Sequence, residues 1–99
     1  MQKRLNKLTI KVSVAAESFG DDHPLAMAAE FLSAASDDLC DAQCEDPGST
    51  ERALALSAAL QNVDNAQNQA ERLGFPCSLR IEVCEFAERF NRWIESLQA

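Results

Sequence analysis

The chain has no tyrosine, one histidine and one tryptophan, and these shortages remove whole classes of chemistry. His23 has no second imidazole with which to form a metal pair or a proton relay. Three glycines leave no glycine-rich phosphate loop, and no Gly-x-Ser-x-Gly elbow, His-Glu-x-x-His run or Glu-x-x-His pair is present. The expectation is a protein that is not an enzyme and carries no cofactor. No stretch approaches the roughly 20 apolar residues that cross a bilayer. The basic start at Lys3, Arg4 and Lys7 is not followed by an unbroken apolar run and a small-residue cleavage site. A cytoplasmic protein without a membrane partner is expected. Four cysteines are too few for a disulfide scaffold at this length.

Positive charge is scarce in one region above all. Residues 12–49 contain no lysine or arginine but nine acids, whereas residues 1–11 carry Lys3, Arg4, Lys7 and Lys11 and no acid. The remainder is nearly balanced, so the net charge of -7 is unevenly laid out. Binding to nucleic acid along the acidic region is disfavoured, because phosphate contact needs cations that release counterions. A basic protein surface is attracted instead. At 99 residues the chain reads as one domain, 1–99. A domain of this size buries only about 60 to 70% of its unfolded surface, which favours a homodimer.

Glycine and proline gather at Gly20 to Pro24, at Pro47 with Gly48, and at Gly74 to Pro76, dividing the chain into four segments. In the second, Pro24 suits a first helical position, and Leu25, Ala28, Leu32, Ala35 and Leu39 form a helical stripe. The third opens on Ser49-Thr50-Glu51, a capping pattern. It continues through Ala53, Leu56, Leu60, Val63, Ala70 and Leu73 to Gly74, a C-terminal stop. In the fourth, Leu79, Val83, Phe86, Phe90, Trp93 and Leu97 alternate four and three apart, which places Trp93 in the core. The first segment carries two periodicities. Leu5, Leu8, Val12, Ala15 and Phe19 fit a helix, while Leu8, Ile10, Val12 and Val14 alternate as in a strand and are partly β-branched. The expected fold is therefore mainly α, a small antiparallel up-down four-helix bundle. The runner-up has a short N-terminal strand at about residues 8–14, and the conformation of residues 5–19 stays open between the two.

Two groups of residues are candidates for a site. Met27 and Phe31 lie off the Leu25, Leu32, Leu39 line and widen the apolar face of the second helix, as a dimer seam or partner groove requires. Asp37, Asp38, Asp41, Glu45 and Asp46 crowd the end of that helix, where carboxylates oppose the helix dipole by about 0.3 to 1 kcal/mol each. Three readings account for them: a surface solvated or neutralised internally by Lys3, Arg4 and Lys7; a basic protein partner; or calcium, for which the order of residues lacks the glycine and alternating oxygens of a calcium loop.

Cys40 and Cys44, four apart, fall on one side of a helix and would supply half a metal site or a redox pair. The third helix, roughly 36 Å long, keeps Cys77 and Cys84 away from them, so no metal ligands are assigned. The thiols read instead as small apolar fillers with one partly exposed, and His23 as a turn residue before Pro24. The leading functional expectation is a non-enzymatic acidic interaction protein, an adaptor, inhibitor or regulator that docks on a basic partner as a homodimer through Met27, Phe31 and the five carboxylates. The alternative is a thiol-based or metal-binding module at Cys40 and Cys44. Small-molecule binding within the bundle depends on packing and stays open.

Overall fold

Leu25, Leu32 and Leu39 recur every seven residues, and Ala28, Ala35 and Ala42 recur beside them. In a computed structural model, which describes residues 1–98, this heptad forms the inner face of the second of four helices. They are α1 (Gln2–Ala16), α2 (Pro24–Cys44), α3 (Thr50–Ala70) and α4 (Cys77–Gln98). No strand occurs among the described residues. α3 carries the matching pattern in Leu56, Val63 and Ala70 with Ala59 and Ala66, and all eleven of these side chains are at most 4% exposed. Alanine at every second contact lets two helix axes approach closely while leucine fills the layer between. α2 and α3 are accordingly the most extensively packed pair. α1 lies on the flank of α2 and α4 on the flank of α3, in a bundle of 41 × 20 × 19 Å.

Residues 8–14 belong to α1, so the strand reading does not hold. A lone strand leaves a row of backbone groups unpaired, whereas the helix buries Leu5, Leu8, Val12 and Ala16 along one face. The β-branched Thr9 is accommodated by its hydroxyl, which donates to the Leu5 carbonyl at 2.7 Å. Helix formation leaves Ile10 64% and Val14 59% exposed. α1 is keyed to α2 by polar contacts: Gln2 Nε2 donates to Ser36 Oγ at 2.8 Å, and that hydroxyl donates to Asn6 Oδ1 at 2.6 Å.

The caps follow local chemistry. His23 Nδ1 accepts from the Leu25 N–H at 3.1 Å with Pro24 at the start of α2, and Ser49 Oγ accepts from the Arg52 N–H at 3.1 Å. α3 ends at Ala70, earlier than the stripe through Leu73 implies. The chain turns there and Gly74 takes a φ of +93°, so Leu73 is left 99% exposed while Phe75 packs into the core at 3%. Ala53, at the other end of that stripe, is also exposed.

In α4 the buried face is Val83, Phe86, Ala87, Phe90 and Ile94, with Leu79 and Trp93 half-buried against it. Leu97 is 37% exposed. The Lys11–Glu82 contact sets an antiparallel register that puts Met1 opposite the turn around Trp93, so α1 offers nothing to cover Leu97.

The α2–α3 seam has no room for a larger side chain. Ala35→Leu is expected to cost about 1–3 kcal/mol, lowering the thermal midpoint by about 4–20 °C. Ala58→Leu, on the exposed face of α3, should stay within about 0.5 kcal/mol of the parent. Circular dichroism melts compare the two, and equal effects would contradict a close seam.

Candidate functional site

With 3.6 residues per turn, Met27, Phe31, Asp38, Asp41 and Glu45 fall within about 40° of one line along α2. That line runs down the flank of α2 that borders α3, about 135° round the helix from the buried leucines and about 75° from the buried alanines. Met27 and Phe31 are half-buried, and Phe31 packs against the core with part of its ring open. Asp38 is half-buried and accepts from Asn62 Nδ2 of α3 at 2.8 Å, which fixes the line to the α2–α3 seam. Asp37 and Asp41 are exposed, as are Glu45 and Asp46 just past the helix end.

None of the five carboxylates forms an ion pair; among the described residues the one salt bridge is Lys11–Glu82 at 2.6 Å. Internal neutralisation by Lys3, Arg4 and Lys7 is therefore not what the structure contains. α1 turns Gln2 and Asn6 towards α2, and those three cations lie on other faces. A different feature offsets the dipole cost. The connector Glu45–Ser49 leads directly into α3, so Glu45 and Asp46 stand before the positive end of that helix while they follow the negative end of α2.

The cations gather elsewhere. α1 and α4 are the least closely packed neighbours in the bundle, and a groove of about 520 Å³ separates them. Its floor is apolar, from Leu8 and Phe86, with the exposed Ile10 at its rim, and Arg4, Lys7, Lys11 and Arg89 line it together with Glu82 and Glu85. Only Lys11 is paired, with Glu82. Nothing in the sequence joins Arg4 to Arg89 except the up-down topology: antiparallel α1 and α4 bring residues early in one helix beside residues late in the other. The basic count of segment one was legible, but the gap beside it was not.

The thiols do not serve as core fillers. Cys40, Cys44 and Cys77 are exposed and Cys84 is half-buried. Gln2 pairs with Ser36, so the last two turns of α2 project beyond the start of α1 and leave Cys40 and Cys44 uncovered on that side. No three His, Cys, Asp or Glu side chains stand together as a metal site among the described residues. His23 is a helix cap whose ring stacks on Phe19 with centroids 4.0 Å apart. Its Nε2 lies 3.6 Å from where a side chain at Gly74 would begin, so the ring stands beside the connector between α3 and α4. Trp93 lies on the core side of α4, tilted against Phe90 with centroids 5.7 Å apart. No helix among the described residues is long and apolar enough to cross a membrane. No protein family matches the chain, and neither a curated protein nor a solved structure is significantly similar to it.

Two outcomes follow from these placements. In the native protein Cys40, Cys44 and Cys77 should react at once with a chromogenic disulfide and Cys84 measurably later, with equimolar zinc leaving the rates unchanged; protection of Cys40 and Cys44 by zinc would restore the metal reading. His23→Ala, which loses both cap and stack, should cost about 1–2 kcal/mol. His23→Asn, which keeps a capping acceptor, should recover about half of that in urea unfolding.

Proposed function

We propose that the chain is a non-enzymatic interaction module that acts in the cytoplasm as a homodimer and docks on a basic protein through the α2 line. The observation that carries this reading is Asp38, Asp41 and Glu45 on one helix face with two half-buried apolar side chains, flanked by Asp37 and Asp46, none of them in an ion pair among the described residues. Met27 and Phe31 supply the area to be desolvated, and Asp37, Asp38, Asp41, Glu45 and Asp46 supply the attraction. Charge of one sign on an exposed rim accelerates encounter, and the apolar centre then determines how long the complex lasts. An adaptor, inhibitor or regulator needs no more chemistry than this. The homodimer rests on the small size of the chain, which leaves a large share of its apolar surface unburied in a single copy.

A twelve-residue amphipathic peptide of alternating lysine and leucine tests the docking surface in an isotope-edited NMR titration. Shifts are expected to concentrate in residues 27–46. Reversing Asp37, Asp38 and Asp41 to lysine should slow association about tenfold or more at low salt and flatten its salt dependence. Shifts spread evenly over the chain, or an unchanged rate, would refute the assignment. Light scattering tests the dimer, which has twice the chain mass of 10.9 kDa.

A further inference from the structure

We propose that the groove between α1 and α4 binds a single-chain amphiphile with an anionic head, the chemistry of a medium-length acyl carboxylate. This site is independent of the α2 line and lies on the opposite side of the bundle. Four observations converge on it.

The first is charge. In a chain of net charge -7, the groove gathers Arg4, Lys7, Lys11 and Arg89 against Glu82 and Glu85, and among the described residues Arg4, Lys7 and Arg89 have no carboxylate within salt-bridge distance. Four cations against two carboxylates leave the groove with an excess of positive charge, and an anion placed there is attracted. The second is polarity along the groove. The paired Lys11 and Glu82 sit towards one end. By the antiparallel register Arg4 and Arg89 sit towards the other, and Leu8 and Phe86 lie between, at the level of Lys7 and Glu85, so a tail laid over Leu8 and Phe86 leaves a head at the Arg4–Arg89 end.

The third is size. At about 520 Å³ the groove falls within the roughly 300–1,000 Å³ of small-molecule sites. One turn of α-helix with its side chains, about 10 Å wide and 5.4 Å high, fills about 400 Å³; a docking helix of several turns would find a seat for little more than one. The fourth is contrast with a second groove, between α3 and α4. That one has about 360 Å³ and is lined by Gln67, Glu88, Asn91 and Arg92, with balanced charge and no apolar floor. The space between facing helices is where bundles build ligand sites, and of these two grooves the one between α1 and α4 has the composition of one.

The two amphiphiles that decide the matter share a tail. On net charge alone the protein favours dodecyltrimethylammonium over dodecanoate, whereas the groove predicts the reverse. With both below their micellar concentrations, dodecanoate is expected to bind saturably at one site, shift the NMR signals of Leu8, Ile10 and Phe86, and raise the thermal midpoint by several degrees. Dodecyltrimethylammonium should do none of these, and acetate should fail for want of a tail. The double variant Arg4→Glu with Arg89→Glu changes two exposed side chains, so its helix content should match the parent, and dodecanoate affinity should fall at least tenfold. Equal binding of the two amphiphiles, shifts located away from α1 and α4, or an unaffected double variant would overturn the proposal. Binding to phosphatidylglycerol vesicles without binding of free dodecanoate would also overturn it, since that would be adsorption to a surface and not occupancy of the groove.

Discussion

The seam between α2 and α3 is the constraint on which the remaining structure depends. Two heptad faces meet there with alanine at Ala28, Ala35, Ala42, Ala59 and Ala66, and leucine or valine at Leu25, Leu32, Leu39, Leu56 and Val63. Burying small side chains contributes little transfer free energy per residue, so alanine is not present for hydrophobicity. Its contribution is distance. A helix with alanine on its contact face lets the neighbouring backbone come close, which brings more atoms of both helices within dispersion range. The pair becomes a rigid central plank, and the outer helices are positioned by what it leaves over.

What it leaves over is asymmetric. α1 is short, and it is held to α2 by four buried apolar residues and the Gln2–Ser36–Asn6 contacts. α4 brings the bulk in Val83, Phe86, Phe90 and Ile94, and it is tied to α3 by Asn91, whose amide donates to Asp64 at 3.4 Å. Large side chains on one outer helix and an alanine seam at the centre do not close the fourth edge of the square. The gap between α1 and α4 is the geometric remainder. A surface ion pair such as Lys11–Glu82, with its side chains 61% and 39% exposed, contributes at most about 1 kcal/mol and does not draw the helices together. The basic groove is thus a consequence of the packing hierarchy and not of any local motif.

The same hierarchy explains what could be read from the sequence. The α2 stripe, the start at Pro24, the Ser49 cap and the turn at Gly74 depend on residues within one turn of each other, and all of them stand in the structure. The choice between helix and strand for residues 8–14 does not. Ile10 and Val14 fit either period, and only the presence of α2 as a surface for Leu5, Leu8 and Val12 selects the helix. Leu73 and Leu97 fail for a related reason: periodicity continues a stripe past the point where a neighbour exists to cover it. The five carboxylates of the candidate site were visible as a run, but their lack of an internal partner was not. Whether Arg4 and Lys7 face Asp37 and Asp41 depends on the rotation of α1 about its axis, which the buried leucines set. The groove combines residues about 80 positions apart, such as Arg4 and Arg89, so no local pattern could have exposed it.

Segregated charge has a further consequence at this scale. The acidic line lies along the α2–α3 edge and four of the nine cations along the α1–α4 edge, on opposite sides of a bundle about 20 Å across. At physiological salt the Debye length is about 8 Å, so each side presents its own potential to solvent with little cancellation from the other. A chain of the same net charge with its nine cations scattered would present a uniformly weak negative surface. Here a basic partner and an anionic ligand can each find an attractive face on one small molecule. Because the acidic line is carried by the closely packed α2–α3 pair, occupancy of the looser α1–α4 edge can be accommodated by movement of the outer helices while the line keeps its geometry.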